Sequence, residues 1–272
     1  MILKCPEAWD LSDLKLEAHR MPLDEIFLPV STEPEHQSIS PSVESIPSYY
    51  RNERPELLER VPLGAKTILE LGCGAGRLGA SVKARQGGKV IGIEYSASAA
   101  QVAKGCLDEV YQVDLNQFIF PWQPGTFDCV IAGDVLEHLI DPWSQLASIK
   151  SILAKHGFLI ASIPNVGFIQ IISNLVNGHF EYQDEGILDR THLRFFTRDT
   201  FTNALTSSGF QVAELSPIIL PGFQSIIDDY SKGTSVLSIG AANIHVQNMT
   251  HLIDLLAYQW LFVAQPIQSP RS

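Results

Sequence analysis

Basic residues are scarce in this chain: 19 Lys and Arg stand against 30 Asp and Glu, giving a net charge of -11 at pH 7. No run of Lys or Arg occurs anywhere. Grip on a phosphate backbone needs clustered cations, so nucleic acid is not an expected partner. A local basic pocket stays compatible with this total, because net charge governs long-range attraction only. Cysteine is sparse as well. Cys5, Cys73, Cys106 and Cys129 are the four present, with none paired at metal-ligand spacing. They read as reduced thiols, and a cytoplasmic location is expected. The N-terminal MILKCPEAWD lacks the apolar core of a secretory signal. The most apolar late run, about Leu252 to Ile267, is interrupted by Asp254, Gln259 and Gln265, too short and too polar for a membrane span.

What is present is an alternation. Up to residue 47 the chain is an arm rich in Ser, Pro and Glu without a sustained period, which reads as flexible linker. A first helix is expected near Ser48, with a fresh start around Asn52 because Pro55 is tolerated only near a helix beginning. From Thr67 short apolar runs alternate with helical patterns. TILEL, KVIGIEY, EVYQVDL, FDCVIAGD and GFLIASIP read as strands. GRLGASVKARQ, SASAAQVAKGC (N-cap Ser96) and WSQLASIKSILAK read as helices. Near-continuous apolar strands separated by helices imply a doubly wound, parallel α/β sheet. Later come a helix over VGFIQIISNLVNG, a polar segment, a helix from the N-cap Thr197 to a stop at Gly209, and the strands FQVAELSPIIL and AYQWLFVAQPI. Residues 48–265 form one expected domain, with an insertion at about 221–254.

The stretch ILELGCGAGRLG, Ile68 to Gly79, sits at the first strand-to-helix turn. In such sheets ligands bind beyond the carboxyl ends of the strands. Glycines there let backbone approach the ligand and leave N–H groups at a helix N-terminus. GxGxxG (Gly74, Gly76, Gly79) suits a dinucleotide, whereas ExGxGxG (Glu70, Gly72, Gly74, Gly76) suits another ligand. Glu94, ending the second strand, can accept from the hydroxyls of an adenosine ribose, which NAD and S-adenosylmethionine both carry. Two further carboxylates favour the second. Glu70 beside a pyrophosphate is repelled, but beside an ammonium or sulfonium it is attractive. Asp114, ending the third strand, offers an acceptor to an adenine amino group. The bland alternative is that such a turn only packs a helix close to a strand.

These residues carry a resemblance. ILELGCGAGRLG, VIGIEYS, YQVDL, FDCVIAGDVLEHLIDPW and LAKHGFLIASIPN resemble the class I S-adenosylmethionine-dependent methyltransferases over roughly Tyr49 to Phe210. The resemblance implies a seven-stranded, mostly parallel Rossmann-like sheet whose last strand runs antiparallel, with S-adenosyl-L-methionine as cofactor. It implies that Glu70 and the loop Gly72, Cys73, Gly74, Gly76 face the amino-acid part of the cofactor. Glu94 and Tyr95 lie at the ribose, Asp114 and Leu115 at the adenine, and Gly133 with Asp134 closes the pocket. More narrowly, GILDRTHLRFFT looks like a subgroup of small-molecule methyltransferases associated with glycan assembly, and ubiquinone-type O-methyltransferases have a comparable His-then-aromatic segment.

Methyl transfer from a sulfonium is an in-line displacement that mainly needs alignment, plus a base where the acceptor is a hydroxyl. His192 is the candidate base, since histidine titrates near neutral pH; the alternative is that it orders the DRTHLRFF loop. Arg190 and Arg194 either hold an anionic acceptor or pair with Asp184, Glu185 or Asp189. Phe195 and Phe196 are expected loop anchors, and Tyr49 and Tyr50 lid or packing residues. In DVLEHL, Asp134, Glu137 and His138 share a face if the segment is helical. No further ligand stands at a recognisable spacing, so no metal is expected. The expected function is methylation of a small-molecule or sugar hydroxyl. The alternatives are a cofactor-binding module without catalysis and an NAD(P) oxidoreductase. Oligomeric state is left open.

Overall fold

The computed structural model describes residues 53–239 and 242–267. The expected arm, the start near Ser48 and Tyr49 and Tyr50 lie outside them. Helix α1 (Pro55–Leu58) carries Pro55 in its first turn, where a missing N–H costs nothing. The alternation follows: β1 (Thr67–Leu71), α2 (Arg77–Gln86), β2 (Lys89–Glu94), α3 (Ala97–Ala103), β3 (Glu109–Gln112), β4 (Phe127–Gly133), α4 (Pro142–Ile152) and β5 (Leu153–Pro164). Then come α5 (Ile169–Val176), α6 (Arg198–Ser207), β6 (Phe210–Ile219), α7 (Gln224–Ser231), β7 (Val236–Ile239), β8 (Ala242–His245), α8 (Met249–Leu256) and β9 (Ala257–Pro266).

Seven strands form one sheet in the order β3-β2-β1-β4-β5-β9-β6. The pairs from β3 to β5 are parallel. The last strand, β9, runs antiparallel between β5 and β6, as the resemblance implied. Order reverses between β1 and β4, which opens a crevice at their carboxyl ends. The central strands are buried on both faces: Ile68, Leu69, Val130, Ile131 and Ile160 are fully enclosed. One apolar cluster, with Phe127, Phe201 and Phe262, packs on one face, and another, with Leu57, Val82 and Leu261, on the other.

Local signals fix several ends. Ser96 caps α3 by accepting from the Ala99 N–H, and Thr197 caps α6 in a reciprocal box with Thr200. Gly209 follows α6 with φ of 82°, a left-handed stop. Pro217 sits in β6, an edge strand, where a missing donor is tolerated. Two strand bounds shift, a conditional helix is not formed, and the insertion gains a structure. Strand β3 ends at Gln112, so Asp114 lies in the following loop. Strand β5 begins at Leu153, not Gly157, because Leu153 pairs with Phe127 before the register jumps to Cys129 with Phe158. DVLEHL is no full helix: Asp134 adopts a left-handed φ of 54°, and only Leu136–His138 make a 3-10 turn. The insertion is ordered into α7, the β7–β8 hairpin and α8. With α5 and the Ile187–Leu188 segment it builds a third apolar cluster around Phe168, Ile227, Leu237 and Leu252.

Candidate active site

The turn after β1 is built on glycine. Gly72, Gly74 and Gly76 all have positive φ (62°, 53° and 76°), which L-residues with side chains rarely adopt. A Cβ on Gly72 would meet Val135 Cγ2 at 2.6 Å, so the turn also packs against the chain after β4. The Cys73 N–H donates to the Ile93 carbonyl at 3.0 Å, tying the turn to β2. The Cys73 side chain faces inward against Gly92 and is buried. Burial raises its thiol. Only its backbone remains for a ligand.

The two acidic residues of these strands differ. Glu94 bridges two loops: Oε2 accepts from the Gly74 N–H at 2.8 Å and Oε1 from the Ser96 N–H at 2.7 Å. Burial raises its carboxyl and these N–H groups oppose the rise. A carboxylate offers about four lone-pair sites, so acceptor capacity is left for ribose hydroxyls. Glu70 turns under the glycine loop instead. Its Oε2 lies 2.7 Å from where a Gly79 Cβ would be and has no hydrogen-bond partner among the described residues. Burial pushes its carboxyl up to about 8, against the Gly79 N–H, and the Glu94 charge adds to the rise. The Glu70 side chain thus lies buried beneath the turn, next to Gly79.

Asp114 caps its own loop, accepting from the Asn116 N–H at 2.9 Å, the Asn116 amide at 3.1 Å and the Gln117 amide at 3.3 Å. Leu115 packs half-buried against the core, and Tyr95 is 76% exposed at the rim. Gly133 ends β4, with Leu57 Cδ1 2.5 Å from where its Cβ would stand. Beside it, Arg54 forms an ion pair with Asp134 and donates to Ser162 Oγ at 2.9 Å. Ser162 Oγ donates to Asp134 Oδ1 at 2.7 Å, and the Gln259 amide donates to Oδ2 at 3.1 Å. Burial opposes the Arg54 charge, and the Asp134 and Glu56 carboxylates outweigh it. No sequence spacing announced this network, whose members come from α1's edge, β4, β5 and β9.

The DRTHLRFF loop docks on the 3-10 turn: the Leu193 and Arg194 N–H groups both donate to the Glu137 carbonyl at 2.9 Å. Asp189 Oδ1 accepts from the Thr191 N–H and hydroxyl, each at 2.7 Å. With its proton committed there, the Thr191 hydroxyl accepts from His138 Nδ1 at 3.0 Å. His192 is 8% exposed, and its Nδ1 lies 3.0 Å from the Ile187 carbonyl, to which it donates. Its Nε2 lies 4.0 Å from Glu137 Oε1. His138 and His192 stack edge-on with ring centres 4.6 Å apart. Burial raises the Glu137 carboxyl well above the ordinary range, with Asp134 adding to it. Burial also lowers the His138 imidazole, with His192 contributing. The spacing in DVLEHL grouped Asp134 with Glu137 and His138 and offered no further ligand; the fold turns Asp134 to Arg54 and brings His192 to the other two, and ligand atoms of these three lie within 4.8 Å of one another.

Other loop residues take structural places. Arg190 pairs with Asp184 at 2.8 Å on the surface. Arg194 donates to the Ile140 and Leu193 carbonyls and lies over the Trp143 ring. Phe196 is buried against Phe201, the anchor the sequence suggested. Surface depressions along Lys104 and Leu107–Tyr111, and around Arg198 and Gln247–Asp254, contain none of these site residues.

A strand-order reversal beside a bare glycine turn and a bridging carboxylate is an α/β arrangement suited to an adenosyl cofactor. The donor chemistry fits that group: Glu94 keeps acceptor capacity, and the glycine backbone carries no side chains at the turn. The chain belongs to the methyltransferase-domain family, whose model matches residues 43–215. S-adenosylmethionine is the cofactor that family and fold imply. A ubiquinone biosynthesis O-methyltransferase from Thiobacillus denitrificans is 34% identical over 111 residues, 39% of this chain and 47% of that protein. Its counterpart from Xylella fastidiosa is 28% identical over 141 residues, 46% of this chain and 57% of that protein. The chain thus spans about half the length of these curated relatives. A SAM-dependent methyltransferase from Archaeoglobus fulgidus shares the fold with a TM-score of 0.55 at 16% identity, over 80% of this chain and 96% of that one. A [4+2]-cyclase shares it at a TM-score of 0.52 and 16% identity, over 79% of this chain and 80% of that one.

Proposed function

We propose that this protein is an S-adenosylmethionine-dependent O-methyltransferase acting on a hydroxyl of a small molecule, with phenols and sugars the leading acceptors. The observation that carries the cofactor half is Glu94, seated on the Gly74 N–H of the glycine turn with acceptor sites to spare. When bound, S-adenosylmethionine supplies a methyl group already activated by its sulfonium. The protein's task is therefore to bind, orient and handle a proton. Glu94 takes the ribose hydroxyls, and the Gly72–Gly76 backbone the amino-acid end. Asp114 and Leu115 border the adenine, and the exposed Tyr95 stands at the rim. Glu70 holds the turn from below.

The acceptor half rests on the loop that follows α5. The imidazole of His192 does not stand alone, because its Nε2 faces Glu137 at 4.0 Å and its ring lies against His138; the unit that handles the acceptor proton is this cluster. A free lone pair on Nε2, fixed by the Nδ1 donation to Ile187, supports that role. The apolar cluster of α5 and the 221–254 insertion walls the acceptor side. The names of the ubiquinone relatives support an oxygen acceptor, and the DRTHLRFFT segment supports a small one.

Calorimetric titration with S-adenosylhomocysteine, and with NAD as control, tests the cofactor; binding of NAD alone, or of neither, overturns the reading. A labelled-methyl assay over phenols and sugars then tests the acceptor. Cofactor binding with no transfer to any hydroxyl would leave a binding module without this chemistry.

A further inference from the structure

Three electron-pair donors converge below the DRTHLRFF loop. Glu137 is 1% exposed, and neither of its carboxylate oxygens has a hydrogen-bond partner among the described residues. The same holds for His138 Nε2. Both imidazoles spend their Nδ1 proton on an oxygen of the loop, His138 on Thr191 and His192 on Ile187. Each neutral ring therefore presents a bare lone pair at Nε2. Two lone pairs facing a buried carboxylate repel unless something positive lies between them. The 4.0 Å from His192 Nε2 to Glu137 Oε1 is too long for a shared proton. It is within the span of two metal–ligand bonds of about 2.0–2.2 Å each.

We infer that Glu137, His138 and His192 form a binding site for a divalent transition-metal cation. Two imidazole nitrogens and one carboxylate oxygen suit Zn2+ and its first-row neighbours; Mg2+, which prefers oxygen, is disfavoured. Oxygen acceptors behind both rings are the arrangement that orients ligating histidines and makes them better donors. Here Thr191, held by Asp189, stands behind His138, and the Ile187 carbonyl behind His192. Three protein ligands leave a position open for a water or an acceptor oxygen. A hydroxyl bound there would ionise far more readily than in water and release its proton to solvent, so with the ion in place His192 would be a ligand and no base would be needed.

The test needs neither cofactor nor acceptor, so its failure is separate from failure of the methyl-transfer reading. Protein purified without a metal-affinity step is analysed for metals by mass spectrometry, stripped with EDTA, and titrated with Co2+ while the visible d–d spectrum is followed. About one equivalent of transition metal per chain and a saturable spectrum displaced by Zn2+ are expected. His138→Gln should abolish the spectrum. Thr191→Val, which removes no ligand, should weaken Co2+ binding by roughly 10–100-fold while circular dichroism stays unchanged. A wild-type protein that takes up neither Co2+ nor Zn2+ overturns the site. Uptake that His138→Gln and Thr191→Val leave unchanged overturns it too, because the ion then sits elsewhere.

Discussion

Removing the Glu94 carboxylate frees the Gly74 N–H and, on the proposed reading, takes away the acceptors for the ribose hydroxyls. Glu94→Ala is expected to weaken S-adenosylhomocysteine binding by roughly tenfold to a hundredfold, as for loss of hydrogen bonds to a charged group; calorimetry checks it, and unchanged affinity removes Glu94 from the site. Glu70 makes a different prediction. Burial raises its folded-state value from 4.5 to about 8, so between these the folded protein holds a proton that the unfolded chain releases. Stability from this residue therefore falls as pH rises through that window. Melting curves over the window should show a steeper decline for wild type than for Glu70→Gln. At Gly72 a side chain meets both a left-handed backbone and Val135. Gly72→Ala should cost about 1–3 kcal/mol in denaturant unfolding. Glu70 shows how far residue-level reading reaches: its charge and place were legible, but whether the side chain turned over or under the turn depended on Gly79, which packs beneath it.

Among the elements, the strongly punctuated ones were legible. Ser96 and Thr197 cap their helices, Gly209 stops α6, and Pro55 starts α1 as their chemistry dictates. Thr197→Ala should lower stability by about 1 kcal/mol, a shift of about 2–4 °C in Tm for a domain of this size, read by thermal melts. DVLEHL misled because its helical spacing is real over so few residues that it cannot decide its own conformation. Asp134 leaves the helical region to meet Arg54, Ser162 and Gln259, and only a 3-10 turn remains. β5 likewise starts early because pairing to Phe127, not local propensity, recruits Leu153.

For the whole molecule, the family match ends at residue 215, before the insertion and β9. The insertion showed no place in the alternation because its apolar residues answer to partners far away: Ile227 and Leu237 pack with Phe168 and Ile187. Ile219 and Ala257, on either side of it, are register partners in β6 and β9, so a short turn can join them. Replacing 221–254 by such a turn should leave S-adenosylhomocysteine affinity within about threefold, since Glu94 and the glycine turn lie on other strands, while acceptor turnover is lost. Loss of both would place the insertion in the cofactor site. The [4+2]-cyclase on the same fold shows why the sheet alone cannot name a reaction.

The sequence by itself determined the alternation, the doubly wound class, the glycine turn and the acidic residue that ends β2. Each is a local matter of period, turn conformation or charge, written within a dozen residues. Only the tertiary structure decided which groups meet. It set Asp134 against Arg54 across 80 positions. It brought His192 to Glu137 and His138 through a loop hung on the Glu137 carbonyl. It packed the insertion against α5 and the Ile187–Leu188 segment. Those encounters depend on packing between distant segments, where each side chain's direction is set by neighbours that no short window of sequence contains.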